Sequence, residues 1–260
     1  MEIVIVESPD VGAALVGGAI AAVIADRPTP VLGLATGSTP SGVYDDLVRR
    51  YQDGVSFAAC RGFALDEYVG LPADHPESYR AVLQRELGSR VDFAAGAIES
   101  PDGLAADIPA ACAAYEQAII DAGGIDLQLL GVGTDGHIGF NEPTSSLAST
   151  TRIKTLTAQT RSDNARFFGD DLEAVPTHVL TQGVGTILRA RHLVLLAWGA
   201  GKADAIAATV EGPITAMVPS SALQLHPHVT VVIDAPAAAA LRLRDYYQSV
   251  YAGKPSWQGI

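Results

Sequence analysis

The chain has 260 residues, of which 48% are hydrophobic and 6% aromatic, a composition typical of an α/β protein with a sizeable core. Its formal net charge of −12 argues against a nucleic-acid-binding surface. Acidic residues precede the apolar run 11–25, where a signal peptide has basic residues, so we expect a cytoplasmic protein without a membrane span. The two cysteines, Cys60 and Cys112, lack metal-ligand spacing, and we interpret them as reduced.

Strand and helix patterns alternate along the chain. Glu2–Val6 is a predicted strand, and Ser8 and Pro9 mark the N-cap and first turn of a helix to about Ala25. Further strands are predicted over 30–35, 61–65, 125–132, 192–198 and 229–233. Further helices are predicted over 40–51, 77–87, 105–122, 157–168, 182–190, 200–210 and 234–250, the last capped by Asp234. This alternation predicts an α/β fold with right-handed βαβ units, a mostly parallel sheet and a single domain over 1–260.

The most informative segment is the glycine-punctuated loop 131–143 at the end of one predicted strand. It carries Asp135, His137 and Glu142 within eight residues. In an open α/β sheet, a loop at the carboxyl end of a strand faces the ligand crevice. We therefore interpret His137 as an acid/base group whose ring is oriented and made more basic by the two carboxylates. The alternative is a glycine-rich turn with one surface histidine.

The strand-to-helix junction Thr36-Gly37-Ser38-Thr39-Pro40 is a candidate phosphate site. Such a junction presents backbone N–H groups, hydroxyls and the positive end of a helix dipole. It is neither a Walker loop nor the glycine pattern of a dinucleotide site. An ordinary capped turn fits the pattern equally well.

A pair of adjacent acids, Asp66 and Glu67, ends another predicted strand. Because strand side chains alternate, one carboxylate faces the crevice and the other faces away. A partly desolvated carboxylate in that position can remove a proton next to a carbonyl group. A solvated acidic turn is the alternative.

Two cations complete the candidate site. Lys202 follows a glycine-rich turn and lies in the first turn of a predicted helix, an unfavourable place for a cation unless an anion binds there. Arg166 taken alone would more often be a solvated helical residue. We predict no metal site, and we interpret His226 and His228, just before a strand, as structural.

Together these segments resemble the glucosamine-6-phosphate deaminase family. The resemblance implies a modified Rossmann-like, doubly wound fold with helices on both faces of the sheet. It also implies, without a cofactor, the conversion of glucosamine 6-phosphate and water to fructose 6-phosphate and ammonia. The stretches that carry it are ATGSTP (35–40), LDEYVGLPADHPESY (65–79), GVGTDGHIGFNEPTSSL (131–147), TRIKTLT (151–157), NARFF (164–168), LTQGVGTI (180–187), GAGKA (199–203), VEG (210–212) and SALQLHP (221–227).

The resemblance implies a role for each matching residue. Asp66 would be the general base that moves the C2 proton to C1. His137 would assist opening of the sugar ring, with Asp135 and Glu142 holding and polarising it. The residues implied to hold the 6-phosphate are Thr36, Gly37, Ser38, Thr39, Arg166 and Lys202.

Some members of that family are hexamers activated by N-acetylglucosamine 6-phosphate, so the resemblance implies a homo-oligomer. Ser146, Arg152 and Lys154 fall where the regulatory phosphate would bind. The alternative is that Arg152 and Lys154 are solvated residues alternating on a strand. The C-terminal tail 252–260 does not clearly match the regulated members.

Two other functions are compatible with the same fold. A 6-phosphogluconolactonase-like hydrolase has a related glycine-Asp-Gly-His loop but needs no carbon base. The acids at 66–67 and the segment 140–143 favour the deaminase. A non-catalytic sugar-phosphate sensor would carry a DNA-binding extension and eroded acids, and neither feature is seen in the sequence.

Overall fold

The computed structural model describes residues 1–72 and 74–260, so Ala73, inside the stretch 65–79, lies outside the described residues. The strands in chain order are β1 (Glu2–Val6), β2 (Val31–Leu34), β3 (Arg61–Ala64), β4 (Asp66–Tyr68), β5 (Ile98–Glu99), β6 (Leu127–Leu130), β7 (Arg152–Thr155), β8 (His178–Thr181), β9 (His192–Ala197) and β10 (Val229–Asp234). The α-helices are α1 (Pro9–Asp26), α2 (Ser41–Gln52), α3 (Tyr79–Leu83), α4 (Ile108–Asp121), α5 (Ala158–Ala165), α6 (Val184–Ile187), α7 (Ala203–Val210) and α8 (Arg244–Ala252).

Seven strands form a parallel sheet in the order β1-β10-β9-β6-β2-β3-β5. A second, three-stranded antiparallel sheet has the order β4-β8-β7. Every residue of β6, β9 and β10 is buried, as expected for parallel strands that are covered on both faces. The predicted α/β fold with a mostly parallel sheet is confirmed.

The chain changes direction across the sheet between the neighbouring strands β2 and β6. From β2 it proceeds outward to β3 and β5, whereas from β6 it proceeds the opposite way, to β9. The loops that follow β2 and β6 therefore separate at the carboxyl end of the sheet. That separation leaves the crevice in which doubly wound sheets bind ligands. These loops contain the segments 36–40 and 131–143, which the sequence predicts as parts of the site.

Helix α1 begins as predicted, with the Ser8 hydroxyl accepting a hydrogen bond from the Val11 N–H at 3.3 Å. By length and composition alone it is apolar enough to cross a membrane. It lies instead against α2, β1 and β10. Its residues Val16 and Ile20 are buried in the main core. One face of the helix, which includes these two residues, therefore packs into the core.

The helix predicted over 234–250 is wrong in its first half, because residues 235–240 form turns and α8 begins only at Arg244. Asp234 caps a turn, accepting from the Ala237 N–H at 2.9 Å and the Gly199 N–H at 3.0 Å. Ala237 and Ala238 are buried in the main core. Tertiary packing thus overrides the helix propensity of the alanine run.

The helix predicted over 182–190 is reduced to the four residues of α6. Two glycines let this segment pack closely against residues 148–150. A Cβ on Gly183 would lie 2.1 Å from the Ser149 carbonyl oxygen, and one on Gly185 would lie 2.9 Å from the Ala148 carbonyl carbon. Gly183, the N-cap residue, and Gly185, inside α6, therefore admit a neighbouring backbone segment that side chains would exclude.

Other differences concern short elements. The helix predicted over 77–87 is α3 followed by a π-helical turn, Gln84–Gly88. The helix predicted over 200–210 starts as a 3-10 turn, Ala200–Lys202, before α7. The strands β5 and β8 were not predicted. Residues 66–68 are not the end of β3 but a separate strand in the second sheet.

The opposite end of the parallel sheet carries the chain's last residues. Gly259 and Ile260 line a depression with His192 and His228, at the starts of β9 and β10. The two imidazole rings stack with centroids 3.7 Å apart. His226 has ring nitrogens 2.7 Å from the Ala190 carbonyl oxygen and 2.9 Å from that of His228. These histidines therefore hold the sheet's amino end together.

Candidate active site

A cleft of about 580 Å³ opens at the carboxyl ends of β2, β6 and β9. Its walls come from the loops after these strands and from β4, α3 and α5. Asp135 and Glu142 reach it through their contacts with His137. The predicted site residues that line the cleft directly are Thr36, Gly37, Ser38, Thr39, Asp66, His137, Arg166 and Lys202.

Asp66 is buried at the start of β4, with 5% of its surface exposed. Its strand leaves the parallel sheet directly after β3 and pairs with β8, where Asp66 lies opposite Thr181. Burial and then the charge of Glu67 raise the pKa of Asp66 to about 8, against a lowering by His137. A carboxylate of this pKa is a stronger base than an ordinary aspartate and is still partly ionised near neutral pH.

Glu67 faces the other way and anchors α3. Its carboxylate accepts hydrogen bonds from the backbone N–H groups of Tyr68 at 2.8 Å and of Tyr79 and Arg80 at 2.9 Å. The adjacent acids therefore serve different purposes, as strand alternation predicts. One faces the cleft, and the other fixes the helix that forms its wall.

The ring of His137 lies beside two carboxylates. Its Nδ1 atom is 2.7 Å from Asp135 Oδ1 and 3.6 Å from Glu142 Oε2. Within the described residues, Nδ1 makes no hydrogen bond of acceptable angle, so its attraction to Asp135 is electrostatic. The Thr160 hydroxyl donates to Glu142 Oε1 at 2.6 Å and holds that carboxylate in place. A Cβ on Gly133 would lie 2.2 Å from the ring, so glycine permits this close approach.

These contacts set the protonation of the group. Burial alone would lower the pKa of His137, but the interactions with Glu142 and Asp135 outweigh it and raise the pKa above its ordinary value. Reciprocally, His137 lowers the pKa of Glu142. The ligand atoms of the three residues lie within 4.8 Å of one another, a spacing that a metal ion also uses. The absence of a metal from the site stays a prediction.

The loop after β2 has the geometry of an anion cradle. Gly37 has a φ of +102°, a left-handed conformation that favours glycine. Helix α2 starts at Ser41, and among the described residues no side chain caps its first N–H groups. Free N–H groups at a helix start bind phosphate readily.

Lys202 and Arg166 supply positive charge to the same cleft. The Lys202 Nζ donates to the Val132 carbonyl oxygen at 2.8 Å, so this side chain crosses from the β9 loop to the β6 loop. Burial lowers the pKa of Lys202, against the charges of Asp135 and Asp163. The exposed Arg166 packs its guanidinium carbon 4.7 Å from the ring centroid of Phe167. The cradle and the two cations together can bind a phosphate dianion.

The sequence reasoning missed one wall of the cleft, formed by Tyr68, Tyr79, Asn164 and Phe168. The hydroxyl of Tyr79 donates to that of Tyr68 at 3.1 Å, and the Asn164 amide donates to the same oxygen at 2.9 Å. Phe168 packs edge-on against Tyr68, with ring centroids 5.7 Å apart. These residues come from separate elements, so no local pattern groups them.

The residues predicted to regulate the protein, Ser146, Arg152 and Lys154, are not among the residues that line the cleft. Arg152 and Lys154 lie half-buried on β7, on either side of the exposed Ile153. The Arg152 guanidinium donates to the Thr150 carbonyl oxygen at 3.3 Å. Their alternation on a strand is confirmed, whereas a regulatory role stays a prediction.

Similarity to known proteins agrees with this geometry. Residues 9–232 match the family model described as glucosamine-6-phosphate isomerases/6-phosphogluconolactonase. The chain is 63% identical to a glucosamine-6-phosphate deaminase of Mycolicibacterium smegmatis and 64% identical to one of Beutenbergia cavernae, with 100% of each chain covered.

Solved structures show the same relationship. A monomeric glucosamine-6-phosphate deaminase superposes with a TM-score of 0.90 at 40% identity, covering 92% of this chain and 100% of that one. A 6-phosphogluconolactonase from Trypanosoma cruzi superposes with a TM-score of 0.75 at 22% identity, covering 93% of this chain and 97% of that one, which shows a shared fold only. The chain belongs to the glucosamine-6-phosphate isomerase/6-phosphogluconolactonase family.

Proposed function

We propose that the protein is a glucosamine-6-phosphate deaminase, which converts glucosamine 6-phosphate and water to fructose 6-phosphate and ammonia. The observation that carries the proposal is Asp66, a buried carboxylate with a pKa of about 8 in a cleft shared with His137 and two cations. The full-length identity of 63% and 64% to deaminases supports it.

The reaction needs a proton transfer at each of its first stages. His137 moves a proton from the C1 hydroxyl toward the ring oxygen, which opens the sugar to its aldehyde form. Asp66 then removes the C2 proton while the aldehyde oxygen takes a proton from water, which gives an enolamine. Asp66 returns its proton to C1, which gives a protonated ketimine at C2. Water adds to C2, ammonia leaves, and the ketone of fructose 6-phosphate remains. Glu142 and Asp135 stabilise the protonated form of His137 during ring opening.

The phosphate is bound away from the reacting carbons. The loop 36–39, Lys202 and Arg166 hold it by backbone N–H groups and charge-assisted hydrogen bonds. A fixed phosphate aligns C1 and C2 with Asp66, which lowers the entropic part of the barrier.

The lactonase alternative requires only hydrolysis of an ester and uses no carbon base. A carboxylate buried at an energetic cost beside a second acid, as Asp66 is, has no purpose in that reaction. The same acids count against a non-catalytic sensor, which gains nothing from a buried base.

The proposed function is tested by incubating the purified protein with glucosamine 6-phosphate and measuring ammonia and fructose 6-phosphate together. We expect the two products in equal amounts. Hydrolysis of 6-phosphogluconolactone in a parallel reaction, without ammonia release from the amino sugar, would identify the lactonase instead.

Replacement of Lys202 by Ala should raise KM about 10- to 100-fold and leave kcat within a few-fold, because a charge-assisted contact to the phosphate is lost. Steady-state kinetics with glucosamine 6-phosphate measures both constants. Lys254→Ala is the matched control, since Lys254 pairs with Glu2 outside the cleft. Equal KM values in the two variants would place Lys202 outside the phosphate site.

The pH dependence of kcat/KM should show an acid limb centred near pH 8, because the C2 proton is accepted only by ionised Asp66, whose pKa is raised to about 8 in the free protein. Activity therefore rises as pH increases toward 8 and levels off above it. Initial rates at low substrate concentration over pH 5–9 give the curve. A limb near pH 4, where an ordinary aspartate titrates, would contradict the assigned base.

We further propose that the protein acts in the cytoplasm in amino-sugar catabolism and forms a homo-oligomer activated by N-acetylglucosamine 6-phosphate. The half-buried cations of β7 support a regulatory anion site. The similar deaminase described as monomeric favours a protein that works alone. Light scattering with and without this effector decides between the two.

If the effector binds at β7, it should sharpen the substrate saturation curve, and Arg152→Ala should abolish that response because a guanidinium contact to the phosphate is lost. Rates over a range of glucosamine 6-phosphate concentrations, with and without effector, provide the measurement. A saturation curve that the effector leaves unchanged in the wild-type protein rejects the regulatory proposal.

A further inference from the structure

Three buried side chains connect the loop that carries His137 to the strand that carries Asp66. They are Asn141, Thr181 and Gln182, each 0% exposed. Asn141 belongs to the loop after β6, whereas Thr181 ends β8 and Gln182 follows it. We refer to these three residues as the polar brace. None of them is among the described residues that line the cleft.

On the His137 side, the brace binds the backbone next to the histidine. The Asn141 amide donates to the carbonyl oxygen of Ile138 at 2.9 Å and to that of Gln182 at 2.8 Å. The Thr181 hydroxyl oxygen accepts from the Phe140 N–H at 3.1 Å. The loop is thus attached at residues one and three positions after the imidazole.

On the Asp66 side, the brace binds the backbone just before the aspartate. The Gln182 backbone N–H donates to the Leu65 carbonyl oxygen at 2.9 Å. Its side-chain amide donates to the Ala64 carbonyl oxygen at 3.1 Å. Thr181 lies directly opposite Asp66 in the β4–β8 pair. The same three residues therefore contact the chain beside both reacting groups.

Close packing fixes the distance between these two segments. Gly139 has a φ of +55°, and a Cβ there would lie 2.8 Å from the Thr181 hydroxyl oxygen and 3.3 Å from Leu65 Cγ. The loop cannot approach the strand more closely, and the brace hydrogen bonds prevent it from moving away.

We propose that Asn141 and Thr181 are positioning residues that set the separation of His137 from Asp66, so that one bound sugar meets the ring-opening group and the carbon base in turn. This inference rests on the proposed function. The proposed role requires an amide at position 141, because both N–H bonds of the Asn141 amide meet carbonyl oxygens. An aspartate there would place a negative charge against these two acceptors. The role also requires a hydroxyl at 181, because valine leaves the Phe140 N–H without its acceptor.

The test compares Thr181→Val with Thr181→Ser and with a control at Thr209. Thr209 is also 0% exposed and hydrogen-bonded, to Ala205 O and Ser220 Oγ at 2.6 Å, but it belongs to α7 and does not line the cleft. We expect Thr181→Val to lower kcat about 10- to 100-fold with KM within about threefold, because misplacement of reacting groups by a fraction of an ångström is costly. Thr181→Ser should retain most of kcat, and Thr209→Val should lose thermal stability without losing kcat.

The outcomes separate this inference from the proposed function. A wild-type protein that releases no ammonia from glucosamine 6-phosphate rejects the proposed function itself. An active wild-type protein with equal kcat in Thr181→Val and Thr209→Val rejects only the positioning role. Asn141→Asp is a second test variant, and we expect its loss of kcat to be at least as large as that of Thr181→Val. It should keep the phosphate binding that depends on Lys202, which is measured with inorganic phosphate as inhibitor. Full kcat in Asn141→Asp would also overturn the inference.

Discussion

The Asp66→Asn variant is expected to bind glucosamine 6-phosphate with nearly normal affinity but to turn it over about 10²- to 10⁴-fold more slowly. Asparagine has almost the same size as aspartate, so the cleft keeps its shape, but the amide cannot accept the C2 proton. Ammonia release gives kcat, and substrate titration gives the affinity. Near-normal turnover would remove Asp66 from its role as base.

The same substitution should make the fold more stable at alkaline pH. The pKa of Asp66 is raised in the folded state to about 8 by burial and the charge of Glu67. The folded protein therefore keeps a proton that the unfolded chain has released, and stability falls as pH rises between about 4 and about 8. Asparagine removes this loss. The gain in Tm of Asp66→Asn over wild type should be larger at pH 8.5 than at pH 5.

Asp163→Asn is the matched control for both measurements. Asp163 also lines the cleft, but it is exposed and carries its charge in contact with solvent. Its replacement also removes one carboxylate from the cleft wall, but it does not remove a buried base. Similar losses of turnover in the two variants would show that charge in the cleft matters and that Asp66 has no special role.

The second large effect is expected for His137→Asn, which should lower kcat about 10²- to 10³-fold. In the proposed mechanism the sugar binds as a closed ring that His137 opens, and no other imidazole lines the cleft within the described residues. Glu142→Gln should cause a smaller loss, because the ring remains but the interaction that raises the pKa of His137 is weakened. Steady-state kinetics of the two variants under identical conditions gives this order.

His178→Gln is the control for the histidine variant. His178 is exposed on β8, away from the residues that line the cleft, and its Nδ1 lies 2.9 Å from the Thr177 hydroxyl. It should retain full activity. Full activity in His137→Asn as well would exclude the imidazole from ring opening.

The parallel sheet could be predicted from the sequence because its strands are continuous apolar runs. Residues 127–130 and 192–197 are buried throughout and were recognised within a few residues. The run 235–240 was not, because alanine favours a helix in isolation and only the packing of Ala237 and Ala238 into the core shows that turns form instead. The strand 178–181 was missed because it is short and acquires its partners only from the tertiary fold.

The candidate site was predictable where its residues cluster in the chain. Asp135, His137 and Glu142 share one loop, and the structure brings the two carboxylates to the same ring nitrogen. The brace was not predictable, because Asn141 and Gln182 are neighbours only through two crossing segments. An uncharged amide in a loop carries no local signal of such a partner.

The position of the last two residues has a practical consequence. Gly259 and Ile260 lie beside the starts of β9 and β10, whereas the cleft opens where those parallel strands and their neighbours end. A tether added after Ile260 would hold the molecule at the amino end of the parallel sheet, and the cleft would face away from the support. Immobilisation on a sensor chip or bead through this terminus should therefore leave substrate access unobstructed.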